Sequence, residues 1–211
     1  MGYPIASRTL RLFLLLLALI AATACGVGPD RVQIQSIRLP DGQVGGRLES
    51  RPSMVAYRTE SVTHAEFFAT DLSIENLDPA EGFEGIRGQI TRVRMFTRPI
   101  AGKTPLSDAA GNAVVQHVVI NDGTLAVYGG AGLLRPGGVP GKTVLSGVLH
   151  NGTVRLTRAS EGLVDPVGTA RLDLAITATL DAPRARLIAA RLDQIIEATQ
   201  PVDPARNDAA P

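Results

Sequence analysis

The side chains of this 211-residue chain with the reactivity for catalysis or metal binding are three histidines, one cysteine and scattered Ser, Asp and Glu. His64, His117 and His150 lie 53 and 33 residues apart. Zinc sites draw pairs of ligands from one helix face or one strand face, at i,i+4 or i,i+2, and no such pair exists. Each histidine therefore reads as a surface or strand-end residue. No Gly-x-Ser-x-Gly elbow occurs, and Ser146-Gly147 and Ser107-Asp108 sit in strand and loop contexts. Gly141-Lys142-Thr143 resembles the close of a phosphate-binding loop, but Pro136 stands where its first glycine is required, and a strand pattern follows instead of a helix. Gly102-Lys103-Thr104 fails in the same way, with Thr97 in the glycine's place. Asp78, Glu81 and Glu84 offer oxygen ligands without the calcium-loop pattern and read as a solvated acidic loop. Asn151-Gly152-Thr153 matches a glycosylation acceptor, but Asn-Gly reads first as a hairpin turn. These residues predict a protein that is not an enzyme, with no cofactor, metal or nucleotide. A triad is recognised by geometry rather than by order, so an anchored hydrolase is kept as the second alternative.

Cys25 carries a different chemistry. Arg8 and Arg11 precede an almost continuous aliphatic run over 12–19, and Ala21-Ala22-Thr23-Ala24-Cys25 closes it with small residues. This is the layout of a secretory signal. The run over 12–24 is too short for the roughly 20 residues of a membrane-spanning helix. A lone cysteine at such a cleavage point resembles the lipobox of bacterial lipoproteins, with Ala22 where Leu is commonest. The resemblance covers the first 26 residues. It implies acylation of Cys25, anchoring to a membrane and residence in the cell envelope. Gly26 stands where the Asp of inner-membrane retention would be, which implies the outer membrane, facing the periplasm or the cell exterior.

Without residues 1–24 the chain has 19 Lys plus Arg against 20 Asp plus Glu. Nucleic acid needs a basic face, so this balance argues against it. With no Trp, three Tyr and five Phe, stacking platforms for sugars or bases are scarce. A single cysteine leaves no disulfide, and a chain of this length buries a core without one.

The elements that must position these groups are mostly strands. Val32 and Ile34 alternate with Gln33 and Gln35. Residues 54–58 and 66–74 are strand-like, and over 86–97 Val93 and Met95 oppose Arg92 and Arg94. Two hairpins are predicted, 114–120 with 125–128 across Asn121-Asp122-Gly123, and 144–149 with 154–157 across Asn151-Gly152. Residues 129–142, rich in Gly and Pro, read as a loop. Over 170–180 every even position is apolar, so one face is buried. Asp181 reads as an N-cap and Pro183 as a first-turn residue, opening a helix over 183–199 with Leu187, Ile188, Leu192, Ile195 and Ile196 on one stripe.

The predicted organisation is a signal peptide at 1–24, a short lipidated tether at 25–30, one β-rich domain at 31–199 and a disordered tail at 200–211. The fold class is all-β and mainly antiparallel, a β-sandwich or partly closed barrel of about eight or nine strands with one C-terminal helix. The expected function is a lipid-anchored, non-enzymatic envelope protein in envelope assembly, adhesion or partner binding. Its expected partners are the membrane, through Cys25, and an envelope protein. The first alternative is a carrier of an apolar ligand in a barrel cavity lidded by the helix.

Overall fold

The fold follows from alternation that changes face only at identifiable irregularities. The computed structural model describes residues 30–37, 45–99 and 111–203. Cys25, Gly102-Lys103-Thr104, Ser107 and the tail beyond 203 lie outside them.

Eleven strands form one mixed sheet. They are β1 (Arg31–Ser36), β2 (Arg47–Ser50), β3 (Met54–Thr59), β4 (Ala65–Thr70), β5 (Arg87–Met95), β6 (Ala113–Asn121), β7 (Thr124–Gly132), β8 (Leu134–Pro136), β9 (Val144–Ala159), β10 (Ala170–Leu180) and β11 (Gln200–Pro201), and the helix α1 (Ala182–Ala198) precedes β11. β3 to β7 form an antiparallel meander, β9 pairs both β7 and β10, and β10 pairs β3. The path thus returns on itself, and the sheet curls into a partly closed barrel. The β10–β3 seam is parallel and only two residue pairs long, Thr179 with Ala56 and Leu180 with Tyr57. From Ala56 the register runs through Phe68, Arg92, Gln116, Gly129 and Arg155, and reaches β10 about ten residues short of Thr179. Such a stagger tilts the strands strongly against the barrel axis.

Two cores lie on the two sides of this sheet. The inner one takes Tyr57, Phe67, Val93, Val115, Tyr128 and the even positions Leu172, Leu174, Ile176 and Ala178 of β10. The alternation over 170–180 is thus realised as an inward face. The outer core takes Phe68, Ile90, Val118, Leu125 and Val127 under α1. β4 is buried at every position because it has the barrel interior on one side and the helix side on the other.

The helix starts as expected. The Asp181 carboxylate accepts from the Arg184 amide at 2.9 Å, and proline occupies the first turn. Ile188, Leu192 and Ile195 are buried, with Leu187 and Ile196 half-buried beside them. Each fully buried aliphatic side chain contributes ~1.5–3 kcal/mol. The helix packs on β3, β4 and β5, on the outer face of the sheet. Its C-terminal carbonyls are held by Arg158, which donates to Ile196 O at 3.0 Å and to Thr199 O.

Two local expectations fail. The Asn121-Asp122-Gly123 turn forms with φ of 51° and 80° at Asp122 and Gly123, but Asn151-Gly152 is no hairpin. β9 runs straight through it, and Asn151, at φ 56°, forms a bulge in which His150 and Asn151 oppose Asp173. The Asp173 carboxylate accepts from the Asn151 amide at 3.1 Å and lies 3.2 Å from His150 Nδ1. The extra residue switches the inward positions of β9 from odd, Leu145 and Leu149, to even, Val154 and Leu156. Residues 129–142 are not one loop either. Gly129–Gly132 belongs to β7 and Leu134–Pro136 to β8. A Cβ at Gly130 would lie 1.8 Å from the Thr153 carbonyl oxygen, so glycine here permits close strand approach instead of breaking the strand.

Candidate functional site

A cluster of charged side chains stands on the outer face of β3, β4 and β5, beside the β3–β4 turn. Register places Glu66 directly between Arg58 and Arg94, and Arg92 is one step diagonal. Glu66 Oε2 accepts from Arg58 Nε at 2.6 Å, and Oε1 accepts from Arg92 Nε at 3.1 Å and Nη2 at 2.5 Å. Arg94 Nε lies 3.7 Å from Oε1 and its side chain is largely exposed. The Arg58 and Arg92 guanidiniums also stand 5.5 and 5.8 Å from the centre of the Phe68 ring, favourable cation–π distances. Burial pushes the Glu66 pKa up, but the bonds and charges of Arg92 and Arg58 outweigh it and hold the carboxyl below its usual range. One carboxylate thus draws three cations together, and Asp193, 3.9 Å from Arg92, and Glu60 at the pocket balance the remaining charge.

A shallow pocket opens here, lined by Arg58, Arg94, Glu60, Glu66 and His64. His64 Nδ1 lies 2.9 Å from both Ser61 Oγ and Thr63 Oγ1. Of the histidines, this one comes nearest to a nucleophile–base pair. Ser61 Oγ, however, accepts the amides of Thr63 and His64 at 3.3 and 3.2 Å, which spends its lone pairs on turning the chain. Both oxygens of Glu66 are committed to arginines.

His150 is exposed at the β9 bulge, whereas His117 is not the surface or strand-end residue expected. It is 1% exposed and points into the barrel from β6. Its Nδ1 lies 2.9 Å from Thr91 Oγ1, while Nε2 has no partner among the described groups. Burial lowers its pKa to about 4. Tyr128, its cross-strand neighbour, donates to Asp165 Oδ1 at 3.0 Å. Burial and the charge of Asp165 push that phenol's pKa far up. These residues form a polar layer in the barrel that ends at the half-buried Asp165.

The acidic loop is exposed at Asp78, Glu81 and Glu84, as expected. Its backbone is tied down by a residue the sequence did not single out. Arg191 on α1, 0% exposed, donates from Nη1 to the carbonyls of Asp78 and Glu81 and from Nη2 to that of Gly82. Its guanidinium lies 4.4 Å from the centre of the Phe83 ring. The carbonyls that a bound cation would use are occupied by a guanidinium. Among the described residues no group of three or more His, Cys, Asp or Glu is placed to hold a metal, and no helix is long and apolar enough to cross a membrane.

Lys142 lies ahead of β9, where its carbonyl accepts from the Tyr57 hydroxyl. Gly141 takes φ 95°. The outward alternation of Arg92 and Arg94 was legible in sequence. Their convergence with Arg58 on Glu66 was not, because it depends on the β3–β4–β5 register. The chain matches no protein-family model, no curated protein and no solved structure.

Proposed function

We propose that this protein is a lipid-anchored, non-enzymatic module of the bacterial cell envelope, working by binding a partner in envelope assembly or adhesion. The observation that carries the reading is the position of Asp30. Its carboxylate accepts from the Thr177 amide at 2.6 Å, so the chain already belongs to the fold five residues after Cys25. A lipid on Cys25 would hold the barrel against the membrane with no stalk. The chemistry-capable groups are spent on structure: His117 is sealed with Thr91, Glu66 orders arginines and Arg191 ties a loop. The carrier reading lacks its lid, since α1 lies outside the barrel, on β3, β4 and β5. The hydrolase reading has only the Ser61–His64 contact, which belongs to the turn.

Cys25→Ser tests the proposal. Loss of metabolic palmitate labelling, together with release of the protein from the membrane fraction, is the expected result. Retention of the unlabelled variant in membranes overturns it.

A further inference from the structure

We infer that one end of the barrel rests on an anionic lipid surface, with Val62, Phe96, Val144 and Leu180 toward the lipid and Arg58 and Arg94 among the phosphates. The inference builds on the lipid-anchor reading and adds an orientation to it.

Register gathers these residues at one end. Val62 lies in the turn after Thr59, whose partner Ala65 pairs in turn with Met95, the residue before Phe96. Val144 pairs with Thr179, Leu180 pairs with Tyr57, and the Leu180 amide donates to Thr143 O at 2.8 Å. All four are exposed, Val62 at 64% and Val144 at 53%, although each is large and apolar. Arg58, Arg94 and the exposed Lys142, two residues before Val144, stand at this end against two acids, Glu60 and Glu66.

The tether selects this end over the other. β1 runs antiparallel to β10, from Arg31 opposite Ala175 to Ser36 opposite Ala170, so the chain comes to the sheet from the Leu180 side. Residues 25–29 span at most ~17 Å. From Thr177, where Asp30 is fixed, Leu180 is ~10 Å away along β10, while Ala170 is ~23 Å away in the opposite direction. A lipid on Cys25 can therefore share a bilayer surface with the Val62–Leu180 end, and the far end is out of reach. That far end also has exposed apolar groups, Val164 among them. It carries Asp78, Glu81, Glu84 and Asp122 as well, which an anionic surface repels. Tether length and charge choose the same orientation.

The test uses the full lipidated chain, purified from membranes and reconstituted in vesicles of phosphatidylglycerol or phosphatidylcholine containing doxyl-labelled lipid. Val62→Cys and Val164→Cys variants carry an environment-sensitive fluorophore. Groups at a lipid-facing rim sit ~5–10 Å into the headgroup boundary, so the label at 62 should lose about half or more of its emission in phosphatidylglycerol. The label at 164 should stay unquenched. Equal quenching at the two positions, or none at 62, overturns the orientation while leaving the anchor standing. Equal quenching at 62 in both vesicles overturns the choice of an anionic surface. If the unsubstituted chain takes the label at Cys25, that thiol is free and the anchor reading fails, taking the orientation with it.

Discussion

Arg191 donates from Nη2 to the Gly82 carbonyl at 2.7 Å, joining residues 109 apart in sequence. With its bonds to Asp78 and Glu81, it makes the helix and the acidic loop one unit. Arg191→Met should cost roughly 2–5 kcal/mol, because several carbonyls lose a charged donor. Arg191→Lys should recover only part of that, since an ammonium lacks the planar fork that spans two acceptors. Urea unfolding midpoints, with limited proteolysis at residues 78–84, measure both effects. A midpoint unchanged in Arg191→Met refutes the role.

His117 makes stability depend on pH. Its folded pKa is about 4 against 6.5 for the free imidazole. Between those values the unfolded chain binds a proton that the folded one excludes, so the contribution is complete above pH 6.5. It is lost as the pH falls toward 4, by about 3 kcal/mol in all. His117→Gln should flatten this part of the curve. Denaturant midpoints at pH 7 and pH 4.5 read it, and an equal slope in the variant disproves the assignment.

The two faces of β10 should respond differently. Leu172 is buried in the barrel and Arg171 is exposed. Leu172→Ala should cost ~2–5 kcal/mol, and Arg171→Ala less than ~1 kcal/mol. Equal losses in chemical denaturation contradict the inward alternation.

The bulge at Asn151 gives a sharper comparison. Its positive φ costs an ordinary L-residue roughly 1–2 kcal/mol, and a β-branched one is especially ill suited. Asn151→Val should destabilise by about that amount or more, while Asn151→Gly should change stability by a few tenths of a kcal/mol. Thermal melts of the pair, normalised to wild type, decide the matter. A Val variant as stable as the Gly variant removes the left-handed requirement.

What was legible in sequence follows from the range of the forces involved. β10 and α1 were readable because a one-sided burial pattern is local: the even residues of β10 and the Ile188, Leu192, Ile195 stripe each face one core. The Asn121-Asp122-Gly123 turn was readable for the same reason. Asn151-Gly152 was misread because a left-handed Asn serves a turn and a bulge equally well. The choice is made by β10, which presents Asp173 to the extra residue. Gly130 was misread because the backbone that needs its missing Cβ belongs to Thr153 on β9. His117 was placed at the surface because the apolar run from Val114 to Ile120 conceals which parity faces inward. Arg191 was not singled out because the carbonyls it binds lie more than 100 residues away in sequence.

The parallel seam between Ala56 and Thr179 also sets the order of assembly. The meander from β3 to β7 can zip up as it is synthesised, each strand on its predecessor, but β3 must wait with one edge bare until Leu180 exists. Bare edges are templates for pairing with other chains. A product cut short before β10 is therefore no smaller barrel. It is an open sheet with two unpaired borders, the geometry most prone to join copies of itself, so β10 closes the sheet and also removes a site of self-association.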